Sequence, residues 1–378
     1  MKFKTKEEIK TWLDKYEIKN YTISDDLTVE VNGGVDLSNK SLKEIPFKFK
    51  KINGFFDCSY NNLTNLEFCP QEVCGDFDCN NNQLISLEFC PKKINRNFDC
   101  SVNELTSLEF CPQDVGGYLN CSYNKITSLE FSPNKINGDF NCCHSQITSL
   151  EFSPEEINGD FYCNNNNIIN LKYFPKKMGG SVNCSVNKIT SLEFCPEDVF
   201  GYFSCSYNQI TSLKFSPNKT SGGFHCNGNK LTSLEFAPKE VGGGFDCSVN
   251  KLTSLEFGPK KVGGDFDCFN NEIKSLKYCQ QKINGNFNCA GNQLTSLEFC
   301  PKKVGGYLYC EDNKITSLLY IPDKVDSKIY LENNPLLGKH QYINVYKDLV
   351  EASNFYKLED KLKNKLYLNT EKVNKIKI

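Results

Sequence analysis

Arginine and alanine are almost missing from this chain. Arg96 is the one arginine, and Ala237, Ala290 and Ala352 are the only alanines, while Lys, Asn, Ile, Phe and Tyr abound. That is the codon bias of an AT-rich genome, such as many viruses, phages and some bacteria and protists have. An excess of positive charge is lacking too: 44 Lys and Arg stand against 46 Asp and Glu, so the basic footprint of a general nucleic-acid binder is absent. No DNA or RNA partner is expected. No apolar run approaches the roughly eighteen residues of a membrane-spanning helix, and the start Met1-Lys2-Phe3-Lys4 has no apolar leader. No membrane insertion is expected, and a soluble chain of the cytoplasm, or of a host's cytoplasm if viral, is. The histidines His144, His225 and His340 lie far apart and no C-x2-C pair occurs, so neither a zinc site nor a cofactor is expected.

Cysteine, by contrast, is abundant, at 21 residues. Cys58, Cys79, Cys100, Cys121, Cys142, Cys163, Cys184, Cys205, Cys226, Cys247, Cys268, Cys289 and Cys310 recur every 21 residues without a slip, and Leu37 and Leu331 hold the same phase one period beyond each end. A fixed period of this length is the signature of a solenoid, here of about fifteen turns. Since leucine replaces cysteine at both ends, the slot reads as small, buried and apolar, with Cys acting as a modest hydrophobe. Free thiols in a reducing compartment follow. Cys69, Cys90, Cys111, Cys195, Cys279 and Cys300 form a second row eleven positions later.

With the ladder cysteine as position 0, apolar residues recur at −2, 0, +5, +8, +10 and +15. The steps −2/0 and +8/+10 have the period of two that turns alternate strand residues inward. Pro at +12 should then end a second strand, and Gly at +16/+17 should supply the turn back. Asn at +3 recurs at Asn61, Asn82, Asn103, Asn124, Asn166, Asn187, Asn208, Asn229, Asn250, Asn271, Asn292 and Asn313. Its amide can both donate to and accept from backbone groups at the bend, so these residues should stack as a ladder. Ser145 breaks the row, which makes its rung the expected weak point. Glu at +9, as at Glu67, Glu88 and Glu109, reads as a solvated face relieved by lysines at +13/+14.

Phe77-Asp78-Cys79 through Leu87 fits Phe-x-Cys-x-x-Asn-x-Leu-x-x-Leu, which resembles the leucine-rich-repeat consensus L-x-L-x-x-N-x-L-x-x-L. The following Glu88-Phe89 resembles the short variant known from bacteria, phages and giant DNA viruses. The resemblance covers residues 34–334 and implies a β-rich solenoid with one parallel sheet along a face and little helix. One departure is that the consensus residue five before position 0 is polar or small, at Cys74, Asn95, Gly116 and Asn137, which points to a bulged or short entry into the main strand. Residues 1–33 read as an α/β N-terminal cap: Ile9, Trp12, Leu13 and Tyr16 have helical spacing behind a Thr5/Glu8 capping box, and short strands follow around Asp25-Asp26. Residues 335–378, with Tyr342, Val345, Tyr346, Leu349 and Val350 at helical spacing, read as a helical C-terminal cap and tail. Some bacterial leucine-rich-repeat effectors carry a C-terminal ubiquitin ligase with a catalytic cysteine, but the last cysteine here is Cys310, inside the array.

Catalysis needs a nucleophile, acid and base held together, and only Cys143-His144 and His225-Cys226 are local pairs. No enzyme is expected. Function should live on the exposed positions −3, −1, +1 and +2, lined up rung by rung for an unidentified protein partner of a monomeric chain. Tyr162, Tyr202, Tyr207 and His225 form the leading candidate set, and Tyr118, Tyr123 and His144 the second, because tyrosine is enriched in binding hot spots. Tyrosine's strand propensity and AT-rich codon would place some there without any such role. A structural or adhesin-like component, for instance of a virus particle, is the alternative reading; a redox- or metal-responsive cysteine array is the third.

Overall fold

The computed structural model describes residues 2–336, which fall into two compact units divided after Asn208. The helical C-terminal segment expected over 335–378 lies, but for its first two residues, outside the described residues.

The first unit opens with helix Lys6–Lys15, whose N-terminus carries the capping box: Thr5 Oγ1 accepts from the Glu8 amide, and Glu8 Oε2 accepts from the Thr5 amide. Ile9 and Leu13 are fully buried, and Trp12 stands edge-on to Phe47 with ring centroids 5.2 Å apart. Strands Tyr21–Ile23 and Val29–Val31 pair antiparallel, and the second pairs parallel with Phe49–Ile52. From there on the chain is a stack of one turn. Strands Val35–Asp36, Phe56–Asp57, Phe77–Asp78, Phe98–Asp99, Leu119–Asn120, Phe140–Asn141, Phe161–Tyr162, Val182–Asn183 and Phe203–Ser204 follow one another in sequence order in a parallel sheet. The second unit repeats the pattern with Phe224–His225, Phe245–Asp246, Phe266–Asp267, Phe287–Asn288, Leu308–Tyr309 and Ile329–Tyr330. These strands are only two residues long, as the polar residue five places before the cysteine suggests.

Inside, position −2 builds a phenyl ladder, with Phe56, Phe77 and Phe98 stacked at 5.9 and 5.6 Å in the first unit and Phe224 on Phe245 at 6.0 Å in the second. The ladder cysteines, together with Leu or Ile at +5 and Leu at +8, are buried beside it. Such a core is close-packed by neighbours of identical shape, so each rung depends on the rung above and below.

The second strand corrects the sequence reading. It lies at +14/+15, as in Glu72–Val73, Lys93–Ile94 and Asp114–Val115 in the first unit and Lys282–Ile283 and Lys303–Val304 in the second, and not at +8/+10. The proline at +12 therefore precedes it. Where the hydrophobe at +15 is missing, Thr220 fills the slot and turns its hydroxyl to the Gly222 carbonyl at 3.1 Å. Behind this strand a Cβ on Gly116 would collide with the Asn95 carbonyl of the preceding rung, whereas other rungs hold Asn95, Asn137 or Phe200 at the same phase.

Position +10 is the second correction. Its aromatic ring does not enter the core. Phe89, Phe110, Phe131, Phe152, Tyr173 and Phe194 in the first unit and Phe215, Phe236, Phe257, Tyr278 and Phe299 in the second all have positive φ and are exposed. The left-handed residue reverses the chain so that the small residue at +11 faces inward instead; Cys69, Cys111, Cys279 and Cys300 are buried. Only in the first turn, where Phe47 holds this phase, is the ring fully buried, beneath the N-terminal helix.

Candidate functional site

The strand face rests on two side-chain ladders. Asn61 Nδ2 donates to the carbonyls of Leu37, Cys58 and Ser59, and its Oδ1 accepts from the amides of Lys40 and Leu42. Asn82 through Asn124, Asn166 through Asn208 and, in the second unit, Asn250 through Asn313 give the same donor bonds to their own and the preceding turn, and their Oδ1 accepts from one amide of the latter, as from Leu63 for Asn82. Asn334, which the sequence reading left out, continues the row. At the broken rung the Ser145 hydroxyl is buried with no partner.

The ladder thiols carry a second, weaker set of bonds. Cys100 Sγ donates to the Asn120 carbonyl at 3.4 Å, and Cys310 Sγ to the Tyr330 carbonyl at 3.0 Å, each reaching the next strand. Burial pushes these thiols far up, Cys184 to about 12 and most others well above their ordinary value. All 21 cysteines are unpaired. A thiol held protonated near neutrality is a poor nucleophile and metal ligand. Among the described residues no cluster of three or more His, Cys, Asp or Glu could hold a metal ion.

On the outer side the four positions expected to be exposed divide. Position +1 is mostly covered, with Ser59, Ser101, Ser122 and Ser206 buried, and the Ser59 and Ser101 hydroxyls donate to Asp57 and Asp99 Oδ1 at 2.6 Å. Position −1 is half-buried. There Asp57, Asp78 and Asp99 stand opposite one another in register, and burial followed by the neighbouring carboxylates raises Asp78 to about 7. Tyr162 and Tyr202 are half-buried and linked: the Tyr162 hydroxyl donates to Asp160 Oδ2 at 2.6 Å, and Tyr202 is hydrogen-bonded to Tyr162 and Asn183. Tyr118 is also half-buried, its phenol pushed to about 12 by burial beside Asp99, Asp78 and Asp76. In the second unit His225 lies opposite Asp246 in register, and burial holds its imidazole below the ordinary value against that carboxylate's pull.

Position +2 is the protruding one. In the first unit Tyr60, Asn81, Val102, Tyr123, His144, Asn165, Val186 and Tyr207 all have φ between 49° and 54°. Tyr60, Tyr123 and Tyr207 are 60, 52 and 55% exposed. Tyr123 and His144 stack face to face on adjacent rungs, centroids 4.1 Å apart and planes 9° from parallel. In the second unit the same position holds Gly228, Val249, Asn270, Gly291, Asp312 and Asn333. Of the sequence candidates, then, Tyr123 pairs with His144 and Tyr162 with Tyr202, while Tyr207 stands out alone among the exposed tyrosines of its rung. The left-handed residue at +2 was not foreseen; the recurrence of Gly and Asn at that phase was the available signal.

The charged rows also differ from expectation. Among the described residues the carboxylates at +9 are not bridged by lysines of the second strand; those lysines pair with acids at +13 and +14 of neighbouring rungs, as in Lys51–Glu72 at 3.1 Å and Lys135–Glu156 at 2.8 Å. Where +9 is a lysine it lies over its own aromatic neighbour, Lys172 over Tyr173 at 4.7 Å and Lys277 over Tyr278 at 5.0 Å. Between Phe68, Phe89 and Phe110 runs an apolar groove of about 590 Å³.

No family model matches the sequence, and no curated protein does. Among solved structures the fold is similar to YopM from Yersinia enterocolitica WA-314, with a TM-score of 0.63 and 20% identity over 79% of this chain and 64% of that one. A functional domain of InlJ from Listeria monocytogenes that includes a cysteine ladder aligns with a TM-score of 0.44 and 18% identity, over 76% of this chain and 69% of that one. This chain has the leucine-rich-repeat fold in a short, 21-residue form. Among the described residues no helix is long and apolar enough to cross a membrane.

Proposed function

We propose that this leucine-rich-repeat solenoid is a non-catalytic protein-binding module whose partner lands on the protruding +2 edge of the first unit, centred on the Tyr123–His144 stack. The observation that carries this reading is the cost of that edge. A left-handed backbone disfavours any residue with a Cβ by about 1–2 kcal/mol, and β-branched residues most. Glycine meets the same geometry freely at Gly228 and Gly291. Tyr60, Val102, Tyr123, His144, Val186 and Tyr207 nevertheless occupy it in the first unit, with their side chains turned outward. A row of rigid aromatic and aliphatic groups held at regular spacing supplies contact area at little further entropy loss, the property of a hot-spot cluster. The half-buried Tyr162–Tyr202 pair supports this edge from the strand face rather than leading it.

The free thiols and their buried, protonated state support a reducing compartment as the place of action. The test is to identify a partner by affinity capture from the native source and to measure its affinity for Tyr123→Ala/His144→Ala. A loss of at least about 2 kcal/mol with unchanged thermal stability is expected. Unchanged affinity would sink the proposal.

A further inference from the structure

The outer row of the second strand changes character within the second unit, where Lys219, Glu240 and Lys261 still alternate before the charge becomes uniform. In the first unit, position +14 alternates in sign, and Lys51–Glu72, Lys93–Asp114 and Lys135–Glu156 form ion pairs at 3.1, 3.9 and 2.8 Å. In the second, Lys282, Lys303 and Lys324 stand opposite one another in parallel register, all exposed. Lys324 has Asp326 at 2.8 Å, but among the described residues no carboxylate lies within ion-pair distance of Lys282 or Lys303. Lys302 adds a further charge alongside. Like charges directly opposite in a sheet are destabilising, so this stretch is held against the tendency the first unit follows.

The lysines do not stand alone. A groove of about 350 Å³ opens beside them, lined by Phe299, Tyr320, Ile321 and Leu319, with Lys302 and the carboxylates Glu298 and Asp323 also in its wall. Phe299 and Tyr320 belong to the outward aromatic row and are about half exposed. A cationic ladder next to an apolar groove is complementary to a chain that carries carboxylates on one side and apolar groups on the other. We infer that the second unit takes up an acidic peptide segment of a partner protein, its carboxylates on Lys282 and Lys303 and its apolar side chains between Phe299 and Tyr320. This surface is separate from the +2 edge and does not depend on it. A nucleic acid fits less well, because Glu298 lines the same groove and Glu256 stands exposed beside Phe257, where a broad phosphate surface would meet both carboxylates. A peptide that puts only apolar side chains into the groove keeps its carboxylates on the ladder, away from Glu298 and Asp323.

The experiment uses the full chain and a fluorescein-labelled peptide of alternating Glu and Phe or Leu, read by anisotropy at two salt concentrations. Binding that weakens with salt is expected, together with a loss of at least about tenfold in Lys282→Gln/Lys303→Gln and of several-fold in Phe299→Ser. The ion-paired equivalents Lys93→Gln/Lys135→Gln should leave it unchanged. Removing the repulsion should hold or raise the thermal midpoint of the Lys282/Lys303 variant. No binding by the full chain, an equal loss in both lysine pairs, or a fall in thermal midpoint showing that the lysines hold the sheet together would overturn the inference. So would tighter binding of an oligothymidine that the same two lysines control, since it would assign the ladder to nucleic acid.

Discussion

At the scale of single residues the fold is governed by what sits at the bend. An asparagine at +3 bonds four backbone groups on two turns, as Asn124 and Asn166 do, and a serine in its place leaves them to other partners. Ser145 Oγ is buried and unbonded, between rungs whose Asn124 and Asn166 make the full set. Asparagine at 145 should therefore donate to the Cys121 and Cys142 carbonyls and accept from the Ile126 amide. Ser145→Asn is expected to raise unfolding free energy by about 1–2 kcal/mol in a urea titration. A neutral or destabilising result would mean that this rung has relaxed around the serine. The asparagine row was legible in the sequence because its period coincides with the cysteine's, and the serine stood out against it. The +10 ring was not legible in the same way. Phe at +10 follows Leu at +8 as an inward strand residue would, and only the sign of φ, which composition does not carry, turns it out. The neighbouring +11 position, Cys, Ser, Ala or Gly in all of the cysteine rungs but those of Phe174 and Ile321, held the hint that the small side was the inner one.

At the scale of the strand, backbone bonds tie rung to rung, as from the Phe56, Cys58 and Tyr60 amides to the Asp76, Asp78 and Asn80 carbonyls, and side chains stacked in register add to the local energetics. Asp57, Asp78 and Asp99 show this most clearly. Folded Asp78 keeps its proton up to about pH 7, first because it is buried and then because Asp99, Asp57 and Asp76 surround it. An unfolded aspartate releases its proton near 3.9. Between those values the folded state binds more protons than the unfolded one, so stability falls as pH rises through the window and the deficit is complete above 7. Asparagine at this position is already compatible with the stack, since Asn120 accepts from the Ser122 amide at 3.2 Å and donates to Asp99 Oδ2 at 3.0 Å. Asp78→Asn is thus predicted to stabilise by at least about 1 kcal/mol at pH 8, a figure that allows for the partial exposure of the group, and to gain progressively less down to pH 4. Unfolding curves at pH 8, 6 and 4 check it, and a gain that does not vary with pH would show that the proton is not involved. The strand itself was misplaced in the sequence reading by the apolar pair at +8/+10. The isolated hydrophobe at +15 carried too little pattern to be recognised as half of a two-residue strand.

At the scale of the molecule, the 21-residue period fixes a chain whose stability is a sum of turn and neighbour terms, with each turn's cysteine against the next turn's backbone. The period was the most legible feature of all. What it could not reveal is how the two units differ on their surfaces, because the same core word is compatible with Tyr, Val, His or Gly at +2 and with alternating or uniform charge at +14. The cysteines give a whole-molecule test of the core. All 21 are free, the ladder set is fully buried, and burial keeps the ladder thiols protonated. Cys74, Cys90 and Cys195 are less buried, and Cys74 Sγ lies 3.8 Å from both Asn53 Oδ1 and Glu72 Oε1 at the rim of the second strand. Since the thiolate is the reactive form, a maleimide or iodoacetamide reagent at pH 7.5 should modify Cys74 first in native protein and the ladder cysteines only on the timescale of unfolding. Denatured protein prepared without reductant should then react at all 21 positions. Intact mass and peptide mapping read both outcomes. Rapid native labelling of Cys205 or its ladder neighbours would mean that the core opens locally, and missing thiols in the denatured sample would mean that the rungs are cross-linked.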